Sequence, residues 1–387
     1  MKRLAILGST GSIGQNALRV VAGLPGEWEV TALAAGRNAA LLAEQVRAWE
    51  PAWAGAADHE TVAAARRLLA AGSWVPKRRQ PEWVAGAEGY EAIARTAPIV
   101  VNALVGAAGL GPSLAAADAG ARLALANKES LVVGGALLRA RVRRGGGTLL
   151  PIDSEHSGLL QCLAGGRRDQ VARVLITASG GPLLRHADWR QATPAEVLAH
   201  PVWPMGARIT TDSATLVNKA FEVMEAHWLF DLAWHEIEVL VHPQAIVHAL
   251  VEWCDGSVLA QLSPPDMRLP IQVALTWPER AGWAAPRLDL AAAGGLAFER
   301  VDETRFPAFR LALDAGRAGG LLPAVLNAAD ETLVALFHEG RLGLGEVVDT
   351  LERVLAAAPA GDADDLDRIM VADAWAREEA RRVAVGA

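Results

Sequence analysis

Apolar positions recur along this chain in two rhythms. Short, mainly apolar runs at 4–7, 28–35, 99–104, 123–126 and 148–152 have the length and composition of buried strands. Between them the spacing turns helical, as in Ala17, Leu18, Val20 and Val21. Strands alternating with helices predict a parallel sheet with helices on both faces. Beyond residue 150 the pattern changes. Residues 174–176 predict one more strand, and 239–253 followed by 257–262 predict a hairpin closed at Asp255-Gly256. A helix is expected over 212–226, capped by Asp212 or Ser213. Pro264, Pro265 and Pro278 begin a proline-spaced stretch that runs to Pro307. From Phe309 onward the pattern is helical, with breaks at Gly319-Gly320, Gly340 and Pro359-Ala360-Gly361. The expected organisation is α/β throughout most of the chain. A Rossmann-like domain spans 1–150, a central α/β domain with a lid loop 151–285, a linker 286–308, and a helical bundle 309–387.

The first turn carries the first candidate chemistry. Gly8-Ser9-Thr10-Gly11-Ser12-Ile13-Gly14 lies between a strand and a helix. Glycines there allow a tight turn and let a pyrophosphate approach the backbone at a helix N-terminus. The spacing is G-x-x-G-x-x-G rather than G-x-G-x-x-G, and an ordinary strand-to-helix turn has the same form. The next strand ends in Gly36-Arg37-Asn38, where a site selective for NADH places an acid on the ribose. A guanidinium suits a 2′-phosphate, so NADPH is the expected cofactor. Asn127-Lys128-Glu129-Ser130 ends a later strand on the same sheet edge, where open parallel sheets bind ligands.

That edge also carries Pro151-Ile152-Asp153-Ser154-Glu155-His156-Ser157. In an extended segment Asp153 and Glu155 project to one face and repel each other unless a cation lies between them. An all-oxygen donor set favours magnesium or manganese over zinc, with cobalt as an alternative. A polar turn after a strand fits the same residues. Further on, Thr177-Ala178-Ser179-Gly180-Gly181-Pro182 can form an anion nest or a plain proline-ended turn. His200-Pro201-Val202-Trp203-Pro204-Met205-Gly206 cannot be regular structure, and its Trp and Met suit either a lid or simple packing. Asn218, Glu222 and Glu225 form one stripe of a helix, and Ser213, Asn218 and Lys219 together suit a phosphate. Spacing does not choose Glu222 over Glu225 as a third carboxylate. His242 and His248 are read as structural.

Composition narrows the class. The chain has 387 residues and a formal net charge of -7, which argues against general binding to nucleic acid or anionic membranes. Its residues are 52% hydrophobic, but 37 glycines and 20 prolines interrupt the apolar runs, so no membrane span is expected. Met1-Lys2-Arg3 leads directly into the first strand, so no targeting segment and a cytoplasmic location are expected. Two cysteines, Cys162 and Cys254, make no disulfide framework.

Taken in order, these motifs resemble the 1-deoxy-D-xylulose 5-phosphate reductoisomerase family. So do His242-Pro243-Gln244, the run 255–262 and Pro265-Asp266-Met267-Arg268. The resemblance covers nearly the whole chain. It implies rearrangement of 1-deoxy-D-xylulose 5-phosphate and reduction by NADPH to 2-C-methyl-D-erythritol 4-phosphate, an isoprenoid precursor. By resemblance Asp153, Glu155 and Glu222 hold the metal. Ser179, His200, Ser213, Asn218 and Lys219 hold the phosphate, Lys128 and Ser154 contact the rest of the substrate, and Trp203 and Met205 belong to the lid over it. Thr10, Gly11, Ser12, Ile13, Gly36, Arg37, Asn38, Asn127, Glu129 and Gly206 hold NADPH. Lys128, Asp153, Glu155, Glu222 and His200 are the expected catalytic set, and a homodimer is implied. The chain departs from the family at Ala220, usually glycine, at Leu183, often phenylalanine, and at Pro204, often serine. Two other readings remain: an NADPH-dependent dehydrogenase of another phosphorylated substrate, and a non-catalytic dinucleotide sensor.

Overall fold

The structure, a computed structural model, describes residues 1–72, 74–76, 79–203, 205–282 and 286–385. It divides into two compact units. The first comprises Met1–Ser130, Leu138–Ser157 and Asp266–Pro286; the second comprises Leu131–Leu137, Gly158–Pro265 and Arg287–Ala387.

The first unit is built on seven parallel strands. They are β1 (Lys2–Leu7), β2 (Trp28–Ala34), β3 (Trp53–Ala56), β4 (Glu82–Ala85), β5 (Ile99–Asn102), β6 (Arg122–Leu125) and β7 (Thr148–Pro151). Their order is β4-β3-β2-β1-β5-β6-β7. The chain leaves β1 toward β2 on one side and later returns to β5 on the other. The carboxyl end of β1 is therefore the topological switch point, where such sheets bind ligands. Leu4 to Leu7 are fully buried, as expected of a central strand covered on both faces. Pro151 is tolerated because β7 is an edge strand that needs no donor on its open side.

The proline-spaced stretch after Pro264 contains regular structure. Arg268–Thr276 is a helix of the first unit, packed against the helix Ser12–Gly23, and Arg122 Nη1 donates to Leu275 O at 3.2 Å. Pro270 does not break it, because first-turn positions have no intrahelical acceptor to lose.

The second unit holds a mixed sheet, β8 (Val171–Ala178), β9 (Ile237–Val241), β10 (Val247–Trp253), β11 (Val258–Leu262) and β12 (Glu299–Arg300), in the order β11-β10-β8-β9-β12. Leu159, Val174, Ile176, Leu232, Ala249 and Val251 form its core. The expected strand over 239–253 is two strands. β9 runs parallel to β8, and β10 turns back to pair with β8 and β11. The β10–β11 turn has Gly256 at φ +85°, a conformation glycine adopts without strain. The helix expected over 212–226 is also two, Ala207–Thr215 and Val217–Phe230, with Leu216 left-handed between them. Asp212 and Ser213 are therefore in the last turns of the first helix and cap neither. Four further helices, Pro307–Ala318, Leu322–His338, Leu344–Ala356 and Leu366–Val385, begin and end at the glycine and proline breaks read from the sequence. Both cysteines are free, Cys162 buried and Cys254 exposed. Among the described residues, no helix is long and apolar enough to cross a membrane.

Tyr90, the only tyrosine, packs into the first unit and donates its hydroxyl to Ala35 O at 2.7 Å. Burial, with the charge of Asp58, pushes its pKa up to about 12. A raised folded pKa stabilises below pH 10, and that stability is lost as pH rises through 12. Tyr90→Phe is expected to lower the unfolding free energy at pH 7 by about 1–2 kcal/mol and to flatten the alkaline limb. Urea unfolding at pH 7 and above pH 10 checks both; unchanged stability at pH 7 would contradict the buried hydrogen bond.

Candidate active site

The glycine turn of the first unit tolerates no side chain at Gly8 or Gly14. Gly8 has φ +81°, and a Cβ there would lie 2.3 Å from Ala103 O. A Cβ on Gly14 would lie 2.3 Å from Gly8 O. The backbone is thus drawn tight over the end of β1. Gly11 precedes the helix Ser12–Gly23 in an extended conformation, and no side chain caps the first turn. Thr10 to Ile13 are at least partly open to solvent. Beneath them Ser9 Oγ donates to Gln45 Oε1 at 2.7 Å and Gln45 Nε2 donates to Ser9 O at 2.8 Å. A strand, a glycine turn and a helix N-terminus arranged in this way suit an anion such as a pyrophosphate.

The two residues after β2 have different work. Arg37 is exposed and sits 3.4 Å from Asp58 Oδ2. Asp58 caps the helix His59–Ala71, and its pKa is lowered first by the Thr61 backbone hydrogen bond, with Arg37 a lesser cause. Asn38 caps the helix Ala39–Trp49, accepting from Leu41 N at 3.1 Å. Asn127 is similarly committed. Its Nδ2 donates to Leu104 O, Gly106 O and Glu129 Oε2, while its Oδ1 accepts from Ser130 N and Oγ. Glu129 Oε1 accepts from Gly106 N at 3.0 Å. Asn127 and Glu129 thus lace together the loops after β5 and β6, and a buried chain through Ser130, Ser113 and Asn102 supports them.

The carboxylate loop after β7 corrects the geometry expected of it. Asp153 and Glu155 are not on one extended strand. Glu155 lies in the first turn of the helix Ser154–Leu163, and Asp153 stands just before it. Asp153 Oδ1 accepts from Glu155 N at 3.1 Å and from His156 N at 3.4 Å, the work of an N-cap. Its other oxygen is paired with Lys128 Nζ, and Ser154 Oγ donates to Glu155 Oε2. His156 is fully buried, with Nδ1 3.4 Å from Asp153 Oδ1. A helix N-terminus, rather than strand alternation, holds these acids together.

The second unit gathers the residues that suited a phosphate. Gly180 and Gly181 have φ +83° and +67°, and a Cβ on Gly181 would lie 2.4 Å from Ser213 O. The turn therefore lies directly on the helix bearing Ser213. Lys219 Nζ donates to Thr177 O at 2.5 Å and pairs with Glu222, which also accepts from Asn218 Nδ2 at 2.6 Å. Lys219 and Glu222 are buried. The stripe is interior rather than a solvated face. Glu225 is buried too.

His200 fixes the hydrogens around Ser179. Its Nδ1 accepts from Val202 N at 3.1 Å and Trp203 N at 2.9 Å. The ring is therefore neutral, with its proton on Nε2, which lies 3.1 Å from Ser179 Oγ. Ser179 Oγ also accepts from Gly181 N at 3.2 Å. With both lone pairs occupied, its own O–H is left to donate outward, as an anion requires. Trp203 lies near His248, ring centroids 6.3 Å apart. Met205 is partly buried, and Gly206 precedes the helix Ala207–Thr215 at its N-cap. Pro204, one of the three departures from the family, lies outside the described residues. Ala220 is fully buried in helical geometry and Leu183 is buried. His242 and His248 are held by backbone partners, as read from the sequence.

A family model described as 1-deoxy-D-xylulose 5-phosphate reductoisomerase matches residues 4–135, and two models of its C-terminal domains match 149–230 and 262–379. A Chlorobium limicola protein named 1-deoxy-D-xylulose 5-phosphate reductoisomerase is 47% identical over 99% of this chain and 100% of its own. The chain belongs to the 1-deoxy-D-xylulose 5-phosphate reductoisomerase family. A Gloeobacter violaceus relative of the same name is 49% identical, over 98% of this chain and 97% of its own. The solved Zymomonas mobilis reductoisomerase in complex with NADPH matches with a TM-score of 0.91 at 38% identity, covering 99% of each chain. A reductoisomerase structure in complex with NADPH, fosmidomycin and magnesium matches with a TM-score of 0.92 at 35% identity, covering 99% of this chain and 98% of the other. The family read from the motifs, and its α/β fold with a Rossmann-like first domain and a C-terminal helical domain, are thereby borne out.

Sequence reading missed Gln45 beneath the glycine turn, and the anchoring of Lys219 by the Thr177 carbonyl. Gln45 belongs to no motif, and only the packed chain brings these contacts in.

Burial holds His200 below its ordinary pKa of 6.5. The stability this contributes is complete above pH 6.5 and is lost as pH falls below it. Nitrogen NMR of the ring is expected to show an unprotonated Nδ1 and a protonated Nε2 at pH 6.5; a ring already cationic there would contradict the acceptor role.

Proposed function

We propose that this chain converts 1-deoxy-D-xylulose 5-phosphate to 2-C-methyl-D-erythritol 4-phosphate, using NADPH and a divalent metal. Full-length identity of 47% to a relative of that name carries the reading. The carbon skeleton rearranges to an aldehyde, which gains a hydride from NADPH and a proton to become the alcohol.

The residues present fit both groups. The tight glycine turn at the end of β1, leading into the N-terminus of the helix Ser12–Gly23, suits a pyrophosphate. Arg37 is free to turn from Asp58 to a 2′-phosphate, since an exposed pair at 3.4 Å is weakly held. The oxygen donors of Asp153 and Glu155, with Glu222 as the third ligand, suit magnesium or manganese. When bound, the metal polarises the substrate carbonyl and stabilises developing negative charge on oxygen.

This chain's own groups do the rest. Lys128 pairs with Asp153 and Lys219 with Glu222. Lys219 would serve the phosphate and Lys128 the sugar hydroxyls, while the carboxylates would be the metal's ligands. Ser179 donates its O–H to the phosphate, because His200 and Gly181 occupy its lone pairs. Ser213 and Asn218 complete the anion site. Trp203 and Met205 cover it and exclude water, and Gly206, Asn127 and Glu129 shape the NADPH site through backbone and loop placement. The enzyme is proposed to act in the cytoplasm as a homodimer. β11 is a sheet edge with Val258 and Leu259 exposed, which suits a second copy.

Purified protein with magnesium and 1-deoxy-D-xylulose 5-phosphate is expected to oxidise NADPH, and a chelator to stop it. Failure of oxidation with metal present would sink the reading. Glu155→Gln should cut turnover by about a hundredfold or more, with NADPH affinity unchanged; joint loss of cofactor binding would contradict the division of roles. Arg37→Asp should weaken NADPH by about tenfold to a hundredfold while sparing NADH, the weight of a charge-assisted contact. Equal weakening of both would remove the 2′-phosphate role.

A further inference from the structure

The helix Ala207–Thr215 presents two faces. Ser213 is partly open on one, and on the other Arg208, Thr211, Asp212 and Thr215 turn toward the C-terminal helices of the same unit. Arg208 is the hub of that buried face. Its Nη2 donates to Asn327 Oδ1 at 2.6 Å, its Nη1 lies 3.3 Å from Glu331 Oε2, and its Nη2 lies 3.6 Å from Asp330 Oδ2. Its Nε lies 3.7 Å from Asp212 Oδ2 on the same helix. Arg377 pairs with Glu331 at 2.9 Å and with Asp373 at 2.7 Å. Thr211 Oγ1 lies 2.8 Å from His338 Nε2.

Two guanidiniums, Arg208 and Arg377, face four acids, Asp212, Asp330, Glu331 and Asp373. Asp330 is fully buried, its Oδ2 has no hydrogen bond, and burial outweighs Arg208 to push its pKa up to about 6. Its carboxyl also faces that of Asp212. Two such acids are most stable when one proton is shared between them, as in other paired carboxylates.

We infer that Asp330 is a positioning residue for the phosphate end of the substrate: with Arg208 and Asp212 it fixes the rotation of the helix Ala207–Thr215, and hence the place of Ser213. This rests on the proposed role of Ser213. Asp212 and Ser213 are adjacent, so the contact that seats one orients the other about 100° around the helix. A helix rotation of about 15° displaces a side-chain oxygen by roughly 1 Å, enough to cost a well-aligned contact. The opposite side is already constrained, since Ser213 O packs where a Gly181 Cβ would be. The glycine turn and the acid pair therefore grip the helix from two sides.

The test is steady-state kinetics of the NADPH- and magnesium-loaded enzyme on 1-deoxy-D-xylulose 5-phosphate, with NADPH affinity and thermal unfolding measured alongside. Asp330→Ala should raise KM by about tenfold with kcat and NADPH affinity little changed. Asp330→Asn, which keeps the shape and a donor for Asp212, should restore most of the loss. Arg208→Lys keeps the charge but loses the planar fork, and should raise KM even if Asp330→Ala does not fold. Wild-type KM in Asp330→Ala or in Arg208→Lys, at whatever melting temperature, would overturn the inference, as would an Asp330→Asn no better than alanine. Ser213→Ala separates the two layers. If it raises KM while Asp330→Ala does not, only the positioning role falls; if Ser213→Ala leaves KM unchanged, the phosphate role of Ser213 falls first.

Discussion

Carboxylates gathered in a partly buried space repel one another unless positive charge or donors are brought in with them. This constraint shapes every chemically dense part of the molecule. Asp153 is held by Lys128 and by a helix N-terminus. Glu222 is held by Lys219 and Asn218. Asp212, Asp330 and Glu331 crowd around Arg208. In the first two cases the compensating lysine is also one that the proposed reaction would use toward the substrate.

The backbone solves a second problem. The glycines at 8 and 14 remove side chains that would strike the chain's own backbone, at Ala103 O and Gly8 O, and so let the turn close tightly over the end of β1. The same device recurs at Gly180 and Gly181, where the turn must lie against the helix that carries Ser213. Both turns follow a strand of a sheet, β1 in one unit and β8 in the other, so rigid elements aim flexible loops.

Much of this was legible before any coordinates. The strands of the first sheet, the glycine turn and the breaks between the C-terminal helices follow from apolar runs and from glycine and proline placement. What eluded the pattern was tertiary. Asp153 and Glu155 were expected to share a strand face, but an N-cap preference at Asp153 starts a helix at Ser154. Leu216 splits one expected helix by taking a left-handed conformation that its residue type does not announce. Pro264, Pro265 and Pro278 suggested a proline-spaced stretch, yet a helix forms between them, with its own Pro270 in the first turn where proline is harmless. Asn38 and Asn127 resembled cofactor contacts by position, while their side chains are spent on a cap and a loop clasp. The Arg208 cluster draws its acids from helices far apart in sequence, so no local spacing could reveal it.

The central claim is that Asp153, Glu155 and Glu222 form one metal site. Equilibrium titration with Mn2+, followed by electron paramagnetic resonance, tests it without relying on turnover. Wild-type protein should bind one strongly held ion per chain, and Asp153→Asn, Glu155→Gln and Glu222→Gln should each weaken it by about tenfold or more, while Glu225→Gln leaves it unchanged. Wild-type affinity in Glu222→Gln, or loss on Glu225→Gln instead, would contradict the site.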